Sequence, residues 1–265
     1  MLRKHNIIQL ENYHSEESTC QACMRRHLCL AKTLSSNDLL EFDRLVAHPE
    51  PVKRRQTICR AGDNFDRLFF VRSGTFKSYR VNENGNLHVT GFYFPGDLMG
   101  LDDINSRIHS DYIESLETSS ICELSFSALE EMFAIQPALI TWLLDKVSAE
   151  INREKDMMYL LGKLDVNQKL ASFLLNFAAR SYRSGFSKTT LHLCMTRNDI
   201  ANYLGMAGET ISRALHRLHD TNVINVRNRN IEIIDFEALE ELVKEGEASL
   251  IVTQGIDINT VDKIA

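Results

Sequence analysis

The sequence predicts an α+β chain, with an N-terminal antiparallel β-roll of jelly-roll type, then one long helix, then a C-terminal winged helix-turn-helix. Three observations carry this: short apolar runs punctuated by glycine turns in the first half, a change to a helical period after Pro137, and a capped helix-turn-helix pattern from Thr196. The 265 residues suffice for two modest domains. With 44% hydrophobic and 25% charged residues, neither disorder nor a membrane class has compositional support. No apolar run approaches the ~20 residues that span a bilayer, and MLRKHNIIQLENYHSEES lacks the apolar core of a signal peptide. The cytoplasm is the expected compartment, with no membrane partner.

In chain order, residues 1–34 are polar and cysteine-rich, without a helix or strand period, and read as an arm held by something other than a core. Residues 35–137 form the predicted roll: between about Val52 and Cys122, short strands alternate with the turn signals Arg60-Ala-Gly-Asp63, Arg72-Ser-Gly74, Glu83-Asn-Gly-Asn86 and Pro95-Gly-Asp97. Residues 138–165 carry the long helix. Ile140, Leu144, Val147, Ile151, Met158 and Leu161 follow one another at steps of four, three, four, seven and three, and Glu154 takes the vacant position of this seam. Such a stripe fits a two-stranded coiled coil or a single core-facing helix equally well.

The predicted winged helix-turn-helix occupies residues 166–240. A helix over about 166–181 buries Leu170, Phe173, Leu174 and Phe177; Thr196-Arg197-Asn-Asp199 has the form of a helix N-terminus, and Gly205 separates Ile200, Ala201 and Leu204 from Ile211, Leu215 and Leu218. The second helix then points Glu209, Ser212, Arg213, His216 and Arg217 outward, with Thr210 beside them. Arg pairs with guanine O6/N7, Glu accepts from cytosine N4, and Ser contacts several bases, so this face has the chemistry to read a major groove. Val223–Val226 and Ile231–Ile234 flank Arg227-Asn-Arg229-Asn, a hairpin whose arginines suit phosphates. Residues 166–234 hold nine Lys/Arg and four Asp/Glu, +5 in a chain of −6, which points to a polyanion partner. Residues 241–265 form an acidic tail.

Cys20, Cys23 and Cys29 form C-x2-C-x5-C, and Cys122 stands on the predicted strand Ser119–Leu124. Four thiolates suit tetrahedral zinc or an iron–sulfur cluster, and His14 and His27 keep zinc open. Cys59 and Cys194 sit among apolar neighbours in predicted strands and read as core. His48 and His88 read as surface residues. No Ser-His-Asp arrangement, Walker loop or HExxH appears, so an enzyme is not expected.

With these residues in hand, the chain resembles the CRP/FNR family, within it the oxygen-sensing FNR branch, over almost its full length. The carriers are Cys20-x2-Cys23-x5-Cys29 with Cys122, Phe94-Pro-Gly-Asp-Leu-Met-Gly100, the helix at 138–163 and Glu209-Thr-Ile-Ser-Arg213. The resemblance implies an activator or repressor of anaerobic gene expression whose four cysteines ligate a 4Fe-4S cluster. Oxygen converts that cluster to 2Fe-2S and releases the dimer from DNA as monomers. It also implies palindromic sites with TTGAT-like halves read by Glu209, Ser212 and Arg213, and loops with Ser73, Gly85, Asn86 and Thr118 facing RNA polymerase. The alternatives are structural zinc or a nucleotide effector. Against the nucleotide, Leu101 stands where that branch places a ribose-binding Glu, and Ile108-His-Ser-Asp-Tyr112 replaces its Arg-Ser pair, with Arg107 as the nearest substitute. Gly208 and the long tail depart from the family pattern.

Overall fold

The computed structural model describes residues 19–244; His14 and most of the predicted tail lie outside them. After the turns of the arm come α1 (Ser36–Leu45), β1 (Val46–Ala47), β2 (Thr57–Cys59), β3 (Arg67–Ser73), β4 (Phe76–Val81), β5 (Leu87–Tyr93), β6 (Leu98–Met99), β7 (Tyr112–Ser115) and β8 (Ser120–Ser125). Two four-stranded antiparallel sheets result, in the orders β1-β8-β3-β6 and β2-β7-β4-β5. The strand period of two divides β3 between two cores: Phe69 and Val71 point between the sheets with Phe76, Met99, Ile113 and Ile121, while Leu68 and Phe70 point the other way with Cys122 and Leu124. At Gly74 the backbone runs at φ +80, where a Cβ would overlap the Ser119 side chain, so the β3–β4 turn requires glycine.

The outer face of the first sheet is covered by α1, by α2 (Phe126–Ile135) and by the start of α3 (Ala138–Lys163), through Phe42, Leu129, Leu139 and Trp142. The strand-and-turn reading had no place for α1 or α2. The signal for α1 was present: Ser35 caps the helix by accepting from the Asp38 amide, and Leu39 and Phe42 make its buried face.

Helix α3 settles the question its period left open. Its core-facing residues are Leu139, Trp142 and Leu160, whereas the seam residues Ile140, Leu144, Ile151 and Met158 are 41%, 62%, 50% and 73% exposed and Leu161 is also exposed. Val147 is half-buried and Glu154 exposed. The stripe is therefore a second apolar face that the described residues do not cover.

The C-terminal part contains α4 (Val166–Arg183), β9 (Thr190–His192), α5 (Arg197–Tyr203), α6 (Gly208–Asp220), β10 (Ile224–Arg227), β11 (Asn230–Ile233) and α7 (Phe236–Lys244), with a three-stranded sheet in the order β10-β11-β9. Two expectations are corrected here. Cys194 lies beyond the end of β9 rather than in a strand, and its thiol donates to Glu117 Oε1 at 3.0 Å. Helix α7 runs past residue 240 to Lys244 and buries Leu239 and Val243, so those residues belong to the core and not to a tail.

The roll and the helix-turn-helix meet along β5. Phe92 packs edge-on against Phe173 and Tyr203, and Phe94 against Phe177. Asn202 donates to the Leu87 carbonyl at 2.6 Å and accepts from the Val89 amide at 2.5 Å. Lys77, buried, pairs with Asp199 at 2.9 Å. Arg180 forms an ion pair with Asp97, donates to the Phe92 carbonyl at 2.9 Å, and lies 4.4 Å over the Phe94 ring. Burial acts to raise the Asp97 carboxyl, but the Arg180 and Arg153 guanidinium groups outweigh it and hold the group below the usual carboxylate range. Such a carboxylate adds stability above its unfolded value of ~3.9, and that contribution is lost as the pH falls through the lower folded value. Asp97→Asn is expected to cost roughly 3 kcal/mol near neutral pH, with a deficit that shrinks in acid. Melting curves of both proteins between about pH 3 and 7 check this, and equal stability at neutral pH would remove the ion pair from the account.

Candidate functional site: a nucleic-acid interface and a cysteine pocket

Helix α5 starts as its sequence requires. Thr196 Oγ1 accepts from the Asp199 amide at 3.0 Å and the Asp199 carboxylate accepts from the Thr196 amide at 2.9 Å, a reciprocal capping box. Gly205 (φ +65) then turns the chain into α6, which buries Ile211, Ala214, Leu215 and Leu218. The opposite face is open: the side chains of Glu209, Arg213 and His216 are 87%, 76% and 79% exposed. Thr196, Arg197, Asn198, Gly208, Glu209, Ser212 and Arg213 line one shallow concavity at the N-terminal end of α6. Ser212 Oγ donates to the Gly208 carbonyl, which leaves its lone pairs outward. Thr210 is half-buried beside them.

Arg217 stands apart, because its guanidinium donates to Asn167 Oδ1 at 2.9 Å and is drawn toward α4. In the wing, Arg227 pairs with Asn230 in register and is exposed, whereas Arg229 reaches back to the Cys194 carbonyl at 3.4 Å. Gly208 has an ordinary backbone. A Cβ there would overlap the Asn198 carboxamide, so this glycine admits Asn198 to the concavity. Asn198 gave no sequence signal of its own.

The second constellation lies on the outer face of the first sheet. Cys20, Cys23, Cys29 and Cys122 all line one small pocket, together with Arg25, Arg26, Arg72 and His48. Local bonds shape the arm: the Arg26 amide donates to the Cys23 carbonyl, Leu28 to Arg25 and Cys29 to Arg26, so successive tight turns carry the chain from Cys23 to Cys29, and Cys20 is held by its amide donating to Asp43. Leu28 rests on Gly96, whose φ of +94 and missing Cβ make room for it. The fourth thiol comes from β8, between β1 and β3, where Cys122 faces Phe70. Burial pushes the Cys20, Cys29 and Cys122 thiols well up, and Asp43 adds to this at Cys20.

His48 corrects the sequence reading of a surface residue. The β1–β8 register pairs Val46 with Leu124 and Ala47 with Glu123, so the next residue, His48, falls beside Cys122. Its side chain is 5% exposed, with Nδ1 3.4 Å from Cys122 Sγ. His88 is exposed as expected, and His27 points away, toward the Met24 carbonyl. Cys59 and Cys194 are buried, with thiols pushed up to about 12 chiefly by burial.

Two further sets of residues fall elsewhere. Ser73 and Thr118 are exposed at one end of the first sheet, and Gly85 with Asn86 at the tip of the β4–β5 turn. The length of β4, about 20 Å, separates them. The Gly96–Tyr112 stretch is acidic inside. Asp103 is buried against His109 and Ser110, Asp111 is buried against Arg80 and Thr90, and burial with Asp103 nearby raises the Asp102 carboxyl. Arg107 turns outward to Glu130 at 3.0 Å and over Phe126. No cation of that stretch is left to neutralise a phosphate there.

Residues 168–242 match the model of the Crp-like helix-turn-helix domain, and residues 49–136 that of the cyclic nucleotide-binding domain. The chain is 38% identical over 223 residues to the fumarate and nitrate reduction regulatory protein of Yersinia pestis, covering 84% of this chain and 89% of that one. It is equally similar, at 38%, to the anaerobic regulatory protein of Haemophilus influenzae, covering 84% and 87%. Among solved structures it is similar to FixK2 from Bradyrhizobium japonicum, at 26% identity and a TM-score of 0.67 over 72% of this chain and 94% of that one. With a glycine-turned β-roll, a long helix and a capped helix-turn-helix in the same order as these relatives, the chain belongs to the CRP/FNR family, whose members are transcription regulators and not enzymes.

Proposed function

We propose that this chain is a cytoplasmic, oxygen-responsive regulator of anaerobic gene expression, activating or repressing its promoters, in which Cys20, Cys23, Cys29 and Cys122 hold a 4Fe-4S cluster. The observation that carries this reading is the convergence of the four thiols on one pocket. Arg25, Arg26 and Arg72 border that pocket and suit the negative charge of a four-thiolate cluster. The names of the relatives, for fumarate and nitrate reduction and for anaerobic regulation, support the physiological part. Bound there, the cluster supplies an oxygen-labile cross-link between the arm and β8. The arm's Arg25 also touches the second half of the chain directly, through the Ser184 carbonyl and the Phe186 ring, so arm position and the placement of α4 are linked.

The working form in this reading is a homodimer closed along Ile140, Leu144, Val147, Ile151, Met158 and Leu161, which falls to monomers when the cluster is lost. Half-sites one DNA turn (~34 Å) apart need both recognition helices at once. The partner is double-stranded DNA with TTGAT-like half-sites, read by Glu209, Ser212 and Arg213; Thr196, Arg197, Thr210 and Arg227 contact the backbone or border the groove, and Arg217 and Arg229 would join them only on leaving Asn167 and the Cys194 carbonyl. Ser73, Gly85, Asn86 and Thr118 would meet RNA polymerase as two patches. The division of labour is an arm to residue 34, a roll over 35–137, the long helix to 165 and the DNA-binding part thereafter. The acidic lining of the Gly96–Tyr112 stretch and the outward turn of Arg107 weigh against a nucleotide effector.

Replacing Cys20, Cys23, Cys29 or Cys122 singly by Ser should abolish the visible absorption of anaerobically purified protein and its inducible operator binding. Cys59→Ser and Cys194→Ser should leave both. Wild-type colour in any of the first four would remove that residue from the ligand set.

Arg213→Ala should cost roughly 1–3 kcal/mol at the cognate operator and relax preference at one guanine. Arg227→Ala should weaken all sequences alike and flatten the salt dependence. Titrations of cognate and random duplexes at several salt concentrations separate the two, and an equal loss on both duplexes would make Arg213 a phosphate contact.

In a parallel dimer, Glu154 would lie close to its twin, and two carboxylates there repel or must protonate. Glu154→Ala should therefore dimerise in air without the cluster, while Ile151→Ala should weaken the dimer even when loaded. Sedimentation with and without oxygen measures both, and a monomeric Glu154→Ala apoprotein at micromolar concentration would end the repulsion account.

A further inference from the structure

One group of ligating side chains overlaps the four-cysteine reading at Cys20 alone. Cys20, Asp43 and His48 bring a thiol, a carboxylate oxygen and an imidazole nitrogen within 4.8 Å of one another. Three different elements supply them: the arm, the last turns of α1, and the residue that follows β1. Each is held. The Cys20 amide donates to Asp43 Oδ1 at 2.7 Å, and the Cys20 thiol shares a hydrogen bond with the same carboxylate. His48 Nε2 lies 3.8 Å from Asp43 Oδ1. Its other nitrogen, Nδ1, lies 3.4 Å from Cys122 Sγ.

We infer that Cys20, Asp43 and His48 form a site for a single divalent metal of the zinc type in the cluster-free protein, an alternative occupancy that takes Cys20 from the four-thiolate site. The donor set is the mixed S, N, O type that zinc and cobalt(II) accept with tetrahedral geometry and metal–ligand distances of about 2.0–2.3 Å, which place neighbouring ligand atoms about 3.3–3.8 Å apart. The Asp43–His48 distance of 3.8 Å is a few tenths of an ångström longer than a nitrogen–oxygen pair on one metal, and all three ligand atoms lie within 4.8 Å of one another, so binding draws the three side chains inward. One thiolate and one carboxylate balance the two positive charges, so a buried metal would leave no net charge.

Cys122 completes the arrangement without acting as a ligand. In the tautomer with the proton on Nδ1, that nitrogen donates to the sulfur at 3.4 Å and the Nε2 lone pair is left for the metal, the usual role of a histidine's second nitrogen. Cys23 and Cys29 have no part in the site. A metal held this way ties the first cysteine of the arm to α1 and to the strand end beside β8, which gives the arm a loaded state indifferent to oxygen.

The test is titration of the full-length, cluster-free protein with cobalt(II) under anaerobic conditions, read by tetrahedral d–d bands and thiolate-to-cobalt charge transfer, with zinc(II) as competitor. One equivalent of cobalt bearing a single thiolate is expected, displaced by zinc and retained in Cys23→Ser and Cys29→Ser. His48→Ala and Asp43→Ala should weaken binding at least about tenfold, with operator binding by the reconstituted variants confirming that they fold. Loss of the cobalt spectrum in Cys23→Ser or Cys29→Ser, or unchanged binding in His48→Ala and Asp43→Ala, would overturn the site. Reconstitution with iron and sulfide fails in a different pattern, since it requires Cys23 and Cys29 and not His48 as a ligand, so the two readings can fall independently.

Discussion

The placement of the DNA-reading face depends on one half-buried ion pair. Arg180 projects from α4 into the roll, where Asp97 of the Pro-Gly-Asp turn, the Phe92 carbonyl and the Phe94 ring receive it. Burying a guanidinium is unfavourable unless charge and hydrogen bonds compensate, so this position tolerates little displacement. The aromatic side chains of β5 then close against α4 and α5, and Asn202 joins the edge of β5 as though it were backbone. Asp199 serves twice: it completes the capping box of α5 and accepts Lys77 from the roll. Opening the junction would therefore also disturb the start of the helix-turn-helix.

The same Pro-Gly-Asp turn meets the arm. Gly96 accommodates Leu28, one residue before Cys29, and Ser184 at the end of α4 donates to the Pro95 carbonyl while its own carbonyl accepts from Arg25. Cysteine pocket, roll and DNA-binding half thus converge within a few residues of one turn. Any change that moves the arm acts on Leu28 and Arg25 together, and both bear on elements that position α4.

Helix α3 carries a different constraint. Its first turns anchor in the outer core through Leu139 and Trp142, while Ile140, Leu144, Ile151 and Met158 remain uncovered by the described residues. An apolar stripe of this length is unfavourable in water. Glu154 interrupts it without relieving it, since a single carboxylate leaves the apolar residues on either side exposed. In the proposed homodimer, a second copy of the helix supplies a face of matching period and shape.

Much of this was legible in the sequence because local rules decide it. Turn glycines marked the strands of the roll; Thr196 with Asp199, and Gly205, marked both helices of the reading module; and the outward residues of α6 followed from its period alone. Only the tertiary structure could decide what depends on pairing between distant segments. The register that sets His48 beside Cys122 joins residues 74 apart, and a period of two cannot say which strand lies opposite. Asp43 comes to Cys20 only because α1 packs on the first sheet. Arg217 and Arg229 share the outward pattern of Arg213, yet long flexible side chains go where a partner is, and Asn167 and the Cys194 carbonyl were invisible from their neighbours in sequence. Periodicity names a face; it is the meeting of two faces that selects which of its residues remain free to bind.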